Sequence, residues 1–251
     1  MIWLRSALYW LGMIVTIPFY ALLATLILVL PPLLRYRIMA SWAKMMIFWL
    51  RITCGLRHRV EGLEHLPKEP AVLLCKHQSA WETLSLQLIL PPMVWVLKQE
   101  LLKLPFFGWG LRCLSPIAID RSKRAESGKK LMEQGRDRLA KGFWIVIFPE
   151  GTRVPAGERG RYQQGGARLA LDLGVPVVPV AHNAGEFWPR NSFLKYPGEI
   201  TMVIGAPIAT AGRSSAEVNR EAEAWIEAQM ECIGGVGPCH PGKTTGHGGQ
   251  R

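Results

Sequence analysis

Apolar residues run almost without interruption through about the first fifty positions of the chain. Residues 6–34 carry no charged side chain, and this stretch exceeds the roughly 20 apolar residues that a helix needs to cross a bilayer. Pro31 and Pro32 end it, because proline cannot continue a helix. A second apolar segment, residues 38–50, is short for a span, and its tryptophans beside Lys44 are typical of a helix at a membrane interface.

Two arrangements of this N-terminal region remain open. One is a single membrane span followed by an interfacial helix, and the other is a helical hairpin that dips into one leaflet. An ordinary buried helix pair is disfavoured, since a domain this small cannot easily cover a helix that is apolar on every side. A cleaved signal peptide is also disfavoured, because the apolar run is long and lacks a clear small-residue cleavage site. We therefore assign residues 1–56 to membrane-anchoring helices.

The pattern changes at about residue 57, where short apolar runs begin to alternate with amphipathic stretches. The runs lack internal alternation of apolar and polar residues, so they predict strands covered on both faces. Strands alternating with helices predict an α/β domain, over residues 57–233, with a mostly parallel sheet flanked by helices. The predicted strands are residues 71–75, 93–97, 116–119, 143–148, 177–180 and 199–204, and the predicted helices are residues 80–90, 106–113, 122–140, 165–173 and 214–232. The Gly-rich residues 234–251 are predicted to be a disordered tail.

The distribution of charge indicates the side of the membrane on which the protein lies. The net charge is +11, and no aspartate or glutamate precedes Glu61, whereas seven arginines and lysines do. This arrangement suits the cytoplasmic side of a membrane with anionic lipids. A nucleic-acid partner is not expected, because zinc-finger spacing, an RNA-binding aromatic motif and a long basic helix are all missing from the sequence. The five cysteines are odd in number and without paired spacing, which indicates reduced thiols.

Polar residues follow two of the predicted strands directly. His77 comes after strand 71–75, and Glu82 lies five residues later, in the first turns of the next helix. In α/β sheets, ligand sites form at such strand ends. A carboxylate bonded to one ring nitrogen would fix the tautomer of His77 and leave the other nitrogen as a base. By itself the spacing also fits a histidine that merely caps the helix.

The second cluster is Phe-Pro-Glu-Gly-Thr-Arg, residues 148–153, after strand 143–148. Gly151 permits close approach of the backbone to a ligand, and Arg153 can hold a phosphate through two hydrogen bonds. Glu150 can accept hydrogen bonds from hydroxyls. The turn therefore indicates a site for a phosphorylated polyol, with a solvated loop as the alternative.

Four blocks, taken in order along the chain, resemble those of the glycerolipid acyltransferases, and among them the bacterial 1-acyl-glycerol-3-phosphate acyltransferases. They are residues 76–82, similar to the family's His-x4-Asp block; residues 98–101 with 105–110 and 119–121; residues 148–153; and residues 175–180. The resemblance covers residues 74–183, with a similar hydrophobic N-terminus ahead of it. It departs at Glu82, where the family usually has aspartate, and the extra methylene changes the reach to His77 by about 1.5 Å.

The resemblance implies an activity and a set of roles. An acyl chain would pass directly from acyl-CoA or acyl carrier protein to the free sn-2 hydroxyl of 1-acyl-glycerol-3-phosphate, giving phosphatidate without an acyl-enzyme. His77 would be the general base and Glu82 would orient it. The implied phosphate-binding residues are Lys98, Arg121 and Arg153, and the implied glycerol-binding residues are Glu150, Gly151 and Thr152. Neither a metal nor a cofactor is implied.

The resemblance also implies a cellular setting, with the catalytic domain at the cytoplasmic face of a bacterial inner membrane and with lysophosphatidate and membrane lipids as partners. Two alternatives remain: acylation of another lysolipid, such as an aminolipid precursor, and a non-catalytic membrane-remodelling role. The presence of both His77 and Glu82 argues against the second.

Three further patterns do not support a function. Residues 237–244 fit the phosphate-loop pattern G-x4-G-K-T, but the required strand before it and helix after it are not predicted. Cys232, Cys239, His240 and His247 lack the spacing of a tight zinc-ligand pair. A Gly-x-Ser-x-Gly elbow, which a serine lipase would need, does not occur in the sequence.

Overall fold

The computed structural model describes residues 1–120 and 124–242. Two long helices begin the chain: α1 covers Ile2–Leu26 and α2 covers Pro32–Cys54, with a 3-10 turn at Ile27–Val29 between them. Proline suits the first position of α2, because that position has no intrahelical partner for a backbone N–H. The segment predicted at residues 38–50 is therefore the middle of a helix of 23 residues.

The two helices run antiparallel and are joined at several levels by indole hydrogen bonds. Nε1 of Trp49 donates to the carbonyl of Leu8 at 3.1 Å, and Nε1 of Trp42 donates to the hydroxyl of Thr16 at 2.9 Å. Within the described residues, one helical segment, Ile2–Val29, is long and apolar enough to cross a membrane, with mean hydropathy 2.3, and 11% of its most apolar stretch is buried. The outer face of α1 is thus apolar and uncovered by protein.

Within the described ranges, seven strands form one sheet in the order β1-β7-β6-β2-β5-β3-β4. Every neighbouring pair is parallel except β6 with β7. The strands are β1 Leu56–Glu61, β2 Val72–Cys75, β3 Met93–Lys98, β4 Ile117–Ile119, β5 Trp144–Ile147, β6 Val177–His182 and β7 Gly198–Ile204. This architecture confirms the predicted α/β fold. The sequence analysis missed β1, because it is an edge strand whose charged residues alternate on an exposed face.

Five more helices flank the sheet in the part of the chain that the structure describes. They are α3 Trp81–Ile89, α4 Phe107–Cys113, α5 Arg124–Ala140, α6 Gly165–Leu173 and α7 Ser215–Ile233, with short 3-10 helices at Leu63–His65, Gln99–Lys103 and Ala184–Glu186. The predicted capping box opens α7: the Ser214 hydroxyl accepts the Glu217 N–H at 3.3 Å, and the Glu217 carboxylate accepts the Ser214 N–H at 2.8 Å.

The carboxyl ends of β2, β5 and β3 lie side by side at one edge of the sheet, since these strands are parallel neighbours. β2 is buried at every position and leads directly into Lys76 and His77. β5 leads into Phe148, and β3 ends at Lys98. The strand order therefore brings both polar clusters to the edge where parallel sheets bind ligands.

Residues 234–242 belong to the predicted disordered tail, but in the structure they pack against the domain. The N–H groups of Gly235, Val236 and Gly237 donate to the Glu186 carboxylate at 2.7, 3.0 and 2.6 Å. Glu186 is 1% exposed, so these amides satisfy a charge that would otherwise be buried alone. Composition does not predict this contact, because a Gly-rich sequence is typical of disordered segments. The same glycines also allow the backbone to approach a carboxylate closely. Residues 243–251 lie outside the described residues.

Candidate active site

The turn between β2 and α3 places His77 against Glu82. Nδ1 of His77 lies 2.8 Å from Oε1 of Glu82, which also accepts the N–H groups of Gln78 at 3.0 Å and Ser79 at 2.8 Å. An ionised carboxylate only accepts hydrogen bonds, so Nδ1 of His77 is the donor and Nε2 is left as a base. The longer glutamate fits here because its carboxylate folds back onto residues 78 and 79, just before α3, where the helix dipole favours an acid.

The surroundings of Glu82 keep it ionised. Its side chain is fully buried, and burial by itself favours the protonated acid. The electrostatic influence of the nearby His182 ring, the hydrogen bond with His77 and the N–H of Ser79 together outweigh burial and lower the pKa of Glu82 below its ordinary value. Glu82 can therefore stabilise a proton on His77.

Phe148, the first residue of the second cluster, holds the ring of His77 from one side. The two rings are stacked with centroids 3.9 Å apart and planes inclined by 12°. The His77 side chain is 14% exposed, and it lines a cavity. The two clusters predicted from the sequence thus form one site.

A buried ion network lies behind this site and ties it to α7. Nζ of Lys76 is 2.8 Å from Oε1 of Glu227 and 3.5 Å from Oε1 of Glu150. The Tyr162 hydroxyl donates to the same Glu227 oxygen at 2.7 Å. Lys76 is 1% exposed, so its charge is compensated almost entirely by protein groups.

Glu150 is more enclosed than a solvated loop residue would be, with its side chain 1% exposed. Its Oε1 accepts the N–H of His77 at 3.4 Å and faces Lys76. Burial raises the pKa of Glu150, and the charge of Lys76 opposes this only in part. Oε2 is buried and has no hydrogen-bond partner among the residues described.

The cavity beside His77 has a volume of about 1040 Å³. Its apolar walls include residues of α1, α2, α3, β3 and α4, with Ile17, Met39, Leu84, Trp95 and Leu111 as representatives. Its polar end is formed by the turn at residues 149–153 and by the amino end of α6. The predicted anchoring helices are therefore also walls of the candidate site.

Among the described residues, the basic side chains of Lys98, Arg153 and Arg190 line the cavity. Nη1 of Arg190 donates to the backbone carbonyl of Arg153 at 2.7 Å. Nε of Arg153 is buried and has no hydrogen-bond partner within the described ranges. The predicted phosphate residue Arg121 lies outside the described residues.

The predicted glycerol residues Gly151 and Thr152 line the same end of the cavity. Gly151 has φ +70°, a left-handed conformation that glycine adopts without strain. Among the described residues, no group of three or more His, Cys, Asp and Glu side chains could hold a metal ion. The cysteines are unpaired thiols, and Cys54, Cys75 and Cys113 are buried.

Sequence reasoning missed Arg190, the amino end of α6 and the buried His182 as parts of this site. Arg190 lies beyond the end of β6, which runs parallel to β2 and so ends at the same edge of the sheet. That position after a predicted strand was the available signal. The residues at the amino end of α6, numbers 163–166, carry no charge, and only the fold brings them to the cavity.

Comparisons with known proteins agree with this geometry. The family model described as Acyltransferase matches residues 57–183. The 1-acyl-sn-glycerol-3-phosphate acyltransferase of Pseudomonas aeruginosa is 48% identical over 206 residues, 80% of each chain. The protein of the same name from Saccharomyces cerevisiae is 32% identical over 170 residues, 64% of this chain and 54% of its own.

A solved structure shares the fold. The crystal structure of the 1-acyl-sn-glycerophosphate (LPA) acyltransferase PlsC from Thermotoga maritima superposes with a TM-score of 0.76. It covers 92% of this chain and 95% of its own at 23% sequence identity. The family model and the Pseudomonas relative extend this likeness from fold to sequence, and the chain belongs to the acyltransferase family that includes the 1-acyl-sn-glycerol-3-phosphate acyltransferases.

Proposed function

We propose that this protein transfers an acyl chain from a thioester to the sn-2 hydroxyl of 1-acyl-glycerol-3-phosphate, giving phosphatidate. The observation that carries the proposal is that the His77–Glu82 pair opens into one cavity with apolar walls and a basic end. A lipid acceptor with a phosphate and a fatty acyl donor need both kinds of surface. Relatives that bear the name of this activity support the same choice.

The proposed reaction is a direct transfer. Nε2 of His77 removes the proton from the acceptor hydroxyl, and the oxygen attacks the thioester carbonyl carbon. The tetrahedral intermediate collapses with cleavage of the carbon–sulfur bond, and His77 returns the proton to the leaving thiolate. Glu82 stabilises the protonated imidazole between these steps. General-base catalysis of this kind typically increases the reaction rate by about 10²–10⁴-fold.

The acceptor phosphate lies at the basic end of the cavity in this proposal, bound by Lys98 and Arg153, with Arg190 beside them. Arg121, which lies outside the described residues, is proposed as a further phosphate-binding residue on the family resemblance alone. The amino end of α6 adds backbone N–H groups, and helix amino ends attract anions. Gly151, Thr152 and Oε2 of Glu150 position the glycerol. The acyl chains occupy the apolar part of the cavity.

The acyl donor is coenzyme A or acyl carrier protein in this proposal. Both present the thioester on a phosphopantetheine arm, and the transfer needs no metal or cofactor, because it balances with proton movement through His77 alone. Incubation of the purified protein with labelled acyl-CoA, labelled acyl carrier protein and a panel of lysolipids tests donor and acceptor together. Phosphatidate formation is expected, and its absence with both donors would refute the proposal. If product forms only from another lysolipid, that lysolipid and not lysophosphatidate is the acceptor.

We also propose that α1 and α2 lie in one leaflet at the cytoplasmic face of the inner membrane. The catalytic domain contacts both ends of α1: the N–H of Lys195 donates to the hydroxyl of Ser6 at 3.0 Å, and Sγ of Cys113 lies 3.7 Å from the carbonyl of Ala24. A helix held at both ends by one domain cannot cross to the far side. The exposed apolar side chains Trp3, Leu11 and Phe19 face the lipid, and the early bases face anionic headgroups.

A further inference from the structure

His182, the last residue of β6, lies fully buried behind the catalytic pair. Its Nε2 is 2.8 Å from the carbonyl of Lys76, and its Nδ1 accepts the N–H of Ala184 at 3.3 Å. A carbonyl only accepts, so Nε2 carries the hydrogen and the ring is the neutral Nε2–H tautomer. Burial is the largest influence on this ring and lowers the pKa of His182.

The two carboxylate oxygens of Glu82 differ in their hydrogen bonding. All three of its hydrogen bonds fall on Oε1, while Oε2 is buried and has no hydrogen-bond partner in the described part of the chain. The group opposite Oε2 is the N–H edge of His182, with Nε2 at 3.9 Å. A buried carboxylate oxygen without a donor is unfavourable, and a partial positive charge nearby reduces that disadvantage.

The geometry points to His182 as a positioning residue for the His77–Glu82 pair. Through the carbonyl of Lys76 it fixes the backbone that enters His77, and through its N–H dipole it holds the far oxygen of Glu82. Glutamate reaches this dipole because its extra methylene carries the carboxylate about 1.5 Å deeper than aspartate would. This inference rests on the proposed function, since it assigns His182 a part in the same reaction.

Among the described residues, charged and titratable groups face the pair from several elements. Glu150, in the turn after β5, faces His77. Glu82 is faced by His77 from the turn before α3, by His182 from β6 and by the buried thiol of Cys75 at the end of β2. His182 is faced by Glu82, His77 and Lys76. The N–H dipole of His182 makes the potential at Glu82 more positive, so it favours the ionised form of this carboxylate.

The test compares His182→Leu, which has no donor, with His182→Gln, whose amide can donate. In His182→Leu we expect kcat to fall about tenfold with little change in KM, because the reacting groups lose their alignment. The acid limb of the kcat/KM profile should move upward by about 0.5–1 pH unit, since a partial charge about 4 Å away has gone. His182→Gln should keep most of the wild-type kcat and leave the acid limb close to its wild-type position.

Val178→Ala, a change of similar burial earlier on β6, is the matched control and should lower the midpoint of thermal unfolding without moving the pH profile. A His182→Leu enzyme with an unshifted acid limb would overturn the inference, because a purely structural role would leave that limb in place. If His182→Leu does not fold, 15N spectra of the wild-type imidazoles decide. The His182 Nε2–H signal should shift as the pair titrates, and an unchanged signal would overturn the inference.

Lack of phosphatidate from the wild-type protein would refute the proposed function itself. That outcome is distinct from either failure of the inference about His182, since both are read from an active wild-type enzyme or from spectra.

Discussion

The imidazole of His77 lies flat against the ring of Phe148, with 3.9 Å between the ring centroids. The contact joins the residue after β2 to the residue after β5, and thereby sets the direction of the histidine nitrogen that faces the cavity. An imidazole held in this way keeps its orientation without help from a ligand.

The first prediction concerns this ring contact. Replacing Phe148 by leucine keeps an apolar side chain but removes the flat face, so we expect kcat to fall about threefold to tenfold, as an aromatic contact is worth about 0.5–1.5 kcal/mol. KM should change little. Steady-state kinetics measure both. Phe143→Leu is the control, since Phe143 contacts Tyr36 and lies away from the base; equal losses of kcat in both variants would contradict the assigned role.

The second prediction concerns the charge of Glu82. Glu82→Gln keeps the size of the side chain but removes the charge that stabilises protonated His77, so kcat should fall at least about 100-fold, within the range of general-base catalysis. Glu82→Asp keeps the charge and should retain an intermediate rate. His77→Ala should be the least active of the three. If Glu82→Gln keeps more than about a tenth of the wild-type rate, the carboxylate does not support the base.

The third prediction concerns recognition of the phosphate. Arg153→Ala removes a guanidinium whose Nε is buried without a partner in the described chain, so we expect KM for lysophosphatidate to rise at least about tenfold, the loss of a charge-assisted hydrogen bond. Arg190→Ala should raise it as well. Arg168→Ala is the control, because Arg168 is exposed on α6 and pairs with Asp172 at 3.8 Å. An unchanged KM in Arg153→Ala would remove the phosphate contact.

The fourth prediction concerns the ion network. Lys76→Met leaves Glu150 and Glu227 without their buried cation, so the free energy of unfolding should fall by about 3 kcal/mol. Thermal unfolding of the purified protein measures the change. Adding Glu227→Gln to Lys76→Met should recover part of the loss, because one uncompensated charge is then removed. No difference between the single and double variants would show that the two residues are not coupled.

The fifth prediction concerns Lys195, which lies among four aromatic rings, with Nζ 4.1 Å from the ring centroid of Trp10 and 4.7 Å from that of Trp188. Burial lowers the pKa of Lys195 from its ordinary 10.5 to about 8. The unfolded chain therefore binds more protons between these two values, so stability from this residue should rise with pH across that window.

Lys195→Met keeps the length of the side chain and removes the titration. The difference in unfolding midpoint between Lys195→Met and wild type should therefore change between pH 8 and pH 10, in favour of the wild type. Other titrating groups are shared by both proteins and cancel in the difference. A difference that does not vary with pH would show that Lys195 does not titrate in this range.

Much of the fold could be predicted from the sequence because its signals are local. All six predicted strands differ from the observed ones by one residue or two, and the capping box of Ser214 and Glu217 marks the start of α7. Continuous apolar runs predicted a sheet covered on both faces, and the buried β2 bears this out. The edge strand β1 gave no such signal, since its exposed face carries charges.

The candidate site could be predicted only where chemistry follows a strand. His77, Glu82 and Arg153 were identified from their positions after strands, whereas His182 lies within an apolar run and Arg190 lies in a loop. The contacts that join these two residues to the site are distant in sequence: the contact of His182 with Lys76 spans 106 residues and that of Arg190 with Arg153 spans 37 residues. Such contacts depend on the order of the strands, which local patterns do not specify.

The cavity walls contributed by Ile17 and Met39 have a consequence for how this protein can be divided. A water-soluble version made by deleting the first two helices would lose part of the substrate site along with its attachment. Exchange of those helices between relatives should, for the same reason, alter which acyl chains are accepted. The boundary near residue 56 separates two kinds of sequence, but the cavity is formed by residues on both sides of it.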